Sequence, residues 1–361
     1  MTSTQEDALP ACAPAPVFNF HELRDQVYAR LAELKLPHYG SQKMVQKGLL
    51  IVSAWCASYL LVLFYGTGSI SGAAGTLFLL TLTSLAVQLG VMHDASHHCI
   101  TLSRWPNILF RWTLTTMGGS SMLWYQNHVV SHHGHTNIPG RDPDIDSYSL
   151  LRFHEADTLR FWHRWQHWYA LPLYSLKALF WVWGSDFVEV FTNSYGLPSR
   201  RRLLFILELL VSRASHAFFF LYLPYQVVGQ WAPVLFGYVA FMLTFGAAMT
   251  TIFILAHITD VQAFLPGGRK PHADWALHQL ETTSDFSVHN RLLTWFIGGL
   301  NFQIEHHIFP NISHLHYPKI QPIVKRYCKE LDITYFEFPS VWSALCAHFR
   351  QLRRLSTEPR T

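Results

Sequence analysis

Three stretches far apart in the chain concentrate histidines at spacings that suit a metal. HDASHH runs from His93 to His98, HVVSHH from His128 to His133, and NFQIEHHIFP, from Asn301 to Pro310, carries Gln303, His306 and His307. His93 and His97 are four apart, as are His128 and His132, so on a helix each pair shares one face. His133 adds a nitrogen about 100° further round, and Gln303 stands one turn before His306. His257 ends an apolar run elsewhere. His93, His97, His128, His132, His133, His257, His306 and His307 thus offer eight imidazoles, with Gln303 as a ninth donor. One ion cannot use so many. Two can, at four or five protein ligands each, with room for a bridging oxygen species or a substrate. Imidazole suits Fe, Zn, Cu and Ni alike, but the donors exceed what a tetrahedral zinc needs, and two redox-active irons fit best. Asp94, Asp142, Asp144 and Asp146 lie near the clusters, and one or more of them is expected to hold a ligand's second ring nitrogen. For Asp142 to Asp146 the competing reading is a solvated loop turned by Pro143.

What positions these donors must be a membrane framework. Of the 361 residues 50% are hydrophobic and only 14% charged, where an ordinary soluble domain carries about a quarter. Residues 48–65 and 73–92 are apolar runs without a charge, joined by a tight, small-residue link; about 20 residues cross a core of roughly 30 Å. A second pair follows at 203–223, which carries Glu208 and Arg213, and 233–255, which carries no charge. Glu208 and Arg213 are five apart, so they need not pair, and both are expected to face the bundle interior. Ile108 to Trp124 and Trp165 to Trp183 are apolar but interrupted, rich in aromatics, and read as interfacial helices. Leu23, Val27, Leu31 and Leu34 recur at helical spacing, which predicts a short amphipathic helix on the membrane surface. The expected organisation is a disordered tail over 1–19, an amphipathic or interfacial helix within 20–47, a catalytic domain over 48–349 and a polar tail over 350–361. The segment before Val17 lacks a basic stretch followed by an apolar one and does not read as a secretory signal.

Charge sets the orientation. Residues 1–47 hold five Lys or Arg, 93–202 hold ten and 256–361 hold eleven, while the links 66–72 and 224–232 hold none. The positive-inside rule puts both termini and all three histidine clusters on the cytoplasmic side. The formal charge of +4 gives no reason to expect a nucleic-acid partner. The five cysteines form no CxxC pair and read as reduced single thiols. His216, inside the third span, is a costly polar group without a visible partner. The remaining isolated histidines, His314, His278 and His348 among them, are expected to be hydrogen-bonded rather than ligating.

HDASHH, HVVSHH followed by HTN, and GGLNFQIEHHIFPNISHLHYPKI resemble the three histidine boxes of the membrane fatty acid desaturase superfamily. Gln in place of the first His of the third box is similar to the front-end branch, and the likeness to cyanobacterial-type delta-6 acyl-lipid desaturases runs from about Leu89 to Phe349. The resemblance implies a di-iron enzyme that uses O2 and two electrons to remove two hydrogens from an acyl chain, leaving a cis double bond and water. The matching ligands are His93 and His97, then His128, His132 and His133, then Gln303, His306 and His307, with His257 between the second and third boxes. The superfamily's first box can have a longer gap, which makes His98 an alternative ligand to His97. Asp94, Asp144 and Asp146 are the expected outer partners.

An alkyl C–H bond offers no acidic proton, so an oxidising metal–oxygen species is required, and the apolar substrate needs a dry tunnel. The resemblance implies membrane lipids or an acyl thioester, including one on acyl carrier protein, as substrate. The chain has no HPGG haem motif, so a separate ferredoxin or cytochrome b5 type of donor is expected. Competing readings are a related di-iron acyl hydroxylase or acetylenase, and a non-redox metal-binding transporter. The expected fold is an all-α integral membrane protein: four transmembrane helices in two hairpins, interfacial helices and a cytoplasmic helical cap holding the di-iron site.

Overall fold

The computed structural model describes residues 17–66, 68–192, 194–264 and 275–357. Most of the expected N-terminal tail, residues 1–16, and the last four residues lie outside the described residues. Among the described residues, four helices are long and apolar enough to cross a membrane: α2 (Ser41–Tyr65), α3 (Ile70–Ser96), α8 (Ser199–Val228) and α9 (Trp231–His257). Each outruns the apolar stretch in the sequence because the helical backbone continues into the polar segments at its ends. The others that matter for the site are α1 (Phe20–Glu33), α4 (Arg104–Arg111), α5 (Ser121–Trp124), α6 (Gln166–Phe180), α7 (Asp186–Thr192), α10 (Trp275–Thr282), α11 (Gln303–Ile308), α12 (Tyr317–Glu330) and α13 (Val341–Leu355). A parallel pair, β1 (Asp285–Phe286) and β2 (Glu337–Phe338), ties the chain after α10 to the start of α13.

The long helices meet through small residues and hydroxyls. Trp55 Nε1 donates to Ser84 Oγ at 3.0 Å between α2 and α3, and Thr81 and Thr244 hydroxyls lie 3.2 Å apart between α3 and α9. α6 crosses α9 at Gly246, where an added Cβ would stand 2.5 Å from the Ser175 carbonyl oxygen. Such close approach favours small residues at helix contacts in an apolar environment. The opposite face of α6 leaves Trp168, Leu171 and Leu176 exposed.

Two expectations need correction. Leu23, Val27 and Leu31 of α1 are buried in one cluster with Ile320, Val324 and Tyr327 of α12, so this apolar face is covered by protein rather than lying on a membrane surface. Helical spacing shows that a stripe must be covered, not by what. Ile108 to Trp124 is not one helix: α4 ends at Arg111, a single turn follows at Thr113–Thr116, and Gly118, with φ of +91°, breaks the chain before α5. A Cβ at Gly118 would stand 2.9 Å from the His216 ring.

The polar residues of α8 find partners. Glu208 accepts from the backbone N–H of Ser121 at 2.7 Å and from the Ser120 hydroxyl, and Arg213 pairs with buried Asp186 at 2.7 Å. His216 Nε2 lies 2.9 Å from the Tyr238 hydroxyl and its ring stacks on Phe220, which gives it a structural place.

Candidate metal centre

The first two histidine clusters sit where helical geometry departs from a plain α-turn, while the third lies on the α-helix α11. A π segment, Gln88–Met92, immediately precedes His93, and another, Tyr125–His132, carries His128 and His132. The wider turn re-phases side chains and is common at functional sites; here it stacks the His128 and His132 rings 5.3 Å apart. The first box ends in a turn in which Cys99 N–H reaches the Asp94 carbonyl at 2.9 Å and His98 N–H reaches Ala95 at 3.2 Å. That closure needs a left-handed residue, and His98, with φ of +59°, supplies it. His98 is exposed as a result. His97, not His98, enters the cluster.

The ligand atoms of His93, His97, His128 and His306 all lie within 4.8 Å of one another, as do those of His132, His257 and His307, and those of His133, His306 and His307. His133 therefore stands where the two groups meet, its ring stacked 4.3 Å from His307 and edge-on 4.7 Å from His306. Helices from both ends of the sequence converge here: α3 brings the first pair, the π segment after α5 the second, α9 His257, and α11 the last two.

Most of the donors face inward without partners, while His93 Nε2 and His128 Nε2 lie 2.9 Å from each other. His97, His132, His257, His306 and His307 each leave Nε2 buried and unbonded, both His133 nitrogens are unbonded, and Gln303 Oε1 joins them. An unpartnered buried polar group costs about 1–3 kcal/mol, so this many in one place fit cations that take up the lone pairs. Burial, reinforced by neighbouring imidazoles, pushes His97, His128, His133, His306 and His307 well below the usual histidine range, so their lone pairs are free at neutral pH. His132 is the exception. Burial works against its charging, yet Asp142 and Asp144 raise it to about 9.

The outer nitrogens are held by residues from other elements, which fixes ring orientation and tautomer. His132 Nδ1 lies 3.0 Å from Asp142 Oδ1. His306 Nδ1 lies 3.1 Å from the Tyr317 hydroxyl, and Gln279 Oε1 is 2.8 Å from His307 Nδ1. Asp144 approaches the Nδ1 atoms of His132 at 3.5 Å and His128 at 3.8 Å. Two expected carboxylates do otherwise. Asp94 turns away from the ligands to His314 Nδ1 at 2.8 Å and Ser313 Oγ at 3.2 Å, because His314 is itself pinned 2.8 Å from Lys47 Nζ. Asp146 is exposed and accepts from the Tyr148 N–H at 2.8 Å, a local turn. Gln279 and Tyr317 carried no signal in the sequence as isolated residues; only their positions on α10 and α12 reveal them.

A cavity of about 600 Å³ opens beside this centre, bounded by His128, Trp124, Trp181, Phe253 and Ile254 and by the polar stretch from Pro139 to Ser149. Of the aromatics in and around the two segments read as interfacial, Trp124 and Trp181 line this cavity, whereas Trp105, Trp112, Phe161 and Trp168 are exposed. The family model for fatty acid desaturases matches residues 67–339, a match that takes in all the histidines of both groups.

The chain belongs to the fatty acid desaturase family. Among its relatives, an acyl-lipid (8-3)-desaturase of Physcomitrium patens is 36% identical over 86% of this chain, which spans 66% of the moss protein's length. An sn-1 linoleoyl-lipid 6-desaturase of Arthrospira platensis is 33% identical over 76% of both chains. One of the same name from Synechocystis is 30% identical over 92% of this chain and 94% of its own. As a desaturase the chain is an oxidoreductase of lipid metabolism, and its four long apolar helices accord with a membrane protein.

Proposed function

We propose that the chain introduces a cis double bond into an acyl chain by an O2-dependent oxidation at two irons. His93, His97, His128 and His306 would hold one; His132, His133, His257 and His307 would hold the other, with Gln303 beside them. The observation that carries this reading is the pair of buried imidazole groups whose inward nitrogens, apart from His93 Nε2 and His128 Nε2 at 2.9 Å from each other, have no protein partner. Bound iron supplies the oxidising power that breaking an unactivated C–H bond demands. The protein's own contribution is positional. Asp142, Tyr317 and Gln279 aim the imidazoles, and Trp124, stacked 4.7 Å from His128, forms the dry wall of the adjoining cavity.

The four long helices form two hairpins, with termini and metal centre on the cytoplasmic side, where Lys and Arg concentrate. Two electrons arrive from a separate ferredoxin or cytochrome b5 type of carrier. The direct test is His307→Ala: membrane insertion should persist while bound iron and turnover are lost, and full activity would refute the ligand set. Lipids of an expressing host should gain species lighter by two hydrogens; species heavier by one oxygen would point to hydroxylation instead. Metal analysis giving one zinc and no iron per chain would overturn the redox reading.

A further inference from the structure

Two residues one turn apart on α10 address the same metal-site histidine through its backbone. Trp275 Nε1 donates to the His133 carbonyl oxygen at 3.0 Å, and Gln279 Nε2 donates to it at 3.2 Å. Gln279 Oε1 also lies 2.8 Å from His307 Nδ1. Because His133 stands between the two imidazole groups, this carbonyl is a junction that serves both. Gln279 is fully buried, but Trp275 is part-exposed. Its ring is one wall of an open cup of about 430 Å³ whose other lining residues include Phe18, Phe20 and His21.

The cup is held in shape by residues from both ends of the chain. Phe20 packs edge-on against Trp275 with ring centroids 5.9 Å apart, and leans on Phe309, just beyond α11, at the same distance. The Tyr327 hydroxyl of α12 donates to the Asn19 carbonyl at 3.1 Å, which pins the start of α1. The cup shares no lining residue with the cavity beside His128, and among the described residues no carboxylate lines it, whereas Asp144, Asp146 and Glu189 line that cavity. A protein that delivers electrons needs an approach that the substrate does not occupy. A second indole, Trp124, stacks on His128, but it walls the substrate cavity. Tyr317, Gln279 and Asp142, which hold the outer nitrogens of other ligands, are buried and offer a docking protein no surface. Of these contacts only Trp275 combines a bond to a ligand residue with a face open to water outside that cavity. Electron tunnelling also falls off less steeply through covalent and hydrogen bonds than across a gap of the same length.

We propose that Trp275 is the point at which electrons enter the metal centre: a one-electron carrier protein seats at the cup, and each electron passes through the indole and its N–H bond to the His133 carbonyl, then through His133 to both imidazole groups. The proposal rests on the desaturase reading and deepens it by naming where its electron donor docks. Each encounter oxidises the carrier by one electron and reduces the iron centre by one, while the indole keeps its proton and its own electron count. Two encounters supply the two electrons of one turnover.

The test uses the full-length, iron-loaded protein in detergent, with reduced ferredoxin and reduced cytochrome b5 as carriers and dithionite as a small reductant free to use any opening. Rapid mixing follows the loss of ferric absorbance. In Trp275→Leu, iron per chain and the dithionite rate should stay at the parent level. The rate with the carrier that the parent accepts should fall about tenfold, the lower end of what losing a contact just outside a metal ligand costs. Trp275→Phe, which keeps a ring without the N–H, should fall between parent and Trp275→Leu, and in both kcat should drop with KM for the lipid unchanged. A photo-crosslinking residue placed at His21 should capture the purified carrier with or without iron, and one placed at Trp342, 71% exposed on α13, should not. A parent-level carrier rate in Trp275→Leu overturns the proposal, as does failure of both carriers to reduce the parent's iron. Equal slowing with dithionite, or loss of iron, overturns it by making Trp275 a prop for His133, and capture at Trp342 but not at His21 overturns the seat. If the carrier reduces the parent's iron in a Trp275-dependent way and no double bond forms, the desaturase reading falls while the entry point stands.

Discussion

Asp142 ties His132 to the turn that follows it: one carboxylate oxygen lies 3.0 Å from His132 Nδ1 and the other accepts the Asn137 N–H at 2.8 Å. Asn137 in turn reaches the His257 carbonyl at 2.8 Å, so a single carboxylate links two members of one metal group. Asp142→Asn should lower bound iron and turnover by about 10–100-fold, the usual cost of losing an outer partner of a metal ligand. Asp144→Asn should cost much less, since Asp144 is 42% exposed and no closer than 3.5 Å. Iron per chain, measured beside activity, checks both.

The first box offers a sharp contrast between neighbours. His97 is buried against His93 and His133, with ring centroids 4.9 and 4.8 Å away, whereas His98 turns out to solvent on a left-handed backbone. His97→Ala should abolish iron binding. His98→Ala should retain it, and His98→Gly should be neutral or slightly stabilising because glycine adopts that conformation freely. Loss of iron in His98→Gly with normal binding in His97→Ala would reverse the assignment.

Arg213 and Asp186 form a buried pair at 2.7 Å between α8 and α7. Removing one partner leaves an uncompensated charge, so Arg213→Leu should destabilise by roughly 3–5 kcal/mol. The double variant Arg213→Leu, Asp186→Leu should recover most of that loss. Thermal unfolding in detergent of both variants provides the comparison; equal loss in each would show that packing, not charge, sets the cost.

The sequence made the metal chemistry legible because ligands must be particular residue types at helical spacing, and His93, His97, His128 and His132 announce themselves that way. The four long helices were legible for a similar reason, since apolar length is a local property. What could not be read is which distant group meets which. Asp94 and Asp142 are both carboxylates near a histidine box, yet Asp94, inside its box, serves His314, and Asp142, well beyond its box, serves His132. That division depends on Lys47 and the turn at Asn137, both set by tertiary packing. The stripe of α1 failed in the same way, because α12, which covers it, lies some 300 residues away.

His348 makes stability depend on pH. Its Nδ1–H donates to the Ile258 carbonyl at 2.5 Å and its Nε2 lies 2.8 Å from the Tyr174 hydroxyl. Burial pushes it from 6.5 down to about 4. The folded state thus favours the neutral ring: its contribution is complete above pH 6.5 and is lost as pH falls from there through about 4, at up to about 1.4 kcal/mol per pH unit. His348→Gln should flatten that part of the acid-unfolding profile. A variant whose stability falls as steeply as the parent's between those limits would show that other groups dominate.

Gln303 sets the hardest question about the centre, because an amide is a weaker ligand than imidazole. Its Oε1 is buried without a donor, and the residue is 1% exposed at the start of α11, one turn before His306. Two roles follow from that placement: the oxygen faces a metal or its water, or the side chain only packs. Gln303→Met keeps length and volume but removes the oxygen, so packing alone predicts unchanged stability and unchanged iron. The orphaned acceptor argues for the first role, since leaving it unpaired costs about 1–3 kcal/mol that a purely packing residue would have no reason to incur. The expected outcome is a normal or raised unfolding temperature with clearly reduced iron per chain. A full iron complement in Gln303→Met would instead leave the eight histidines as the whole protein ligand set.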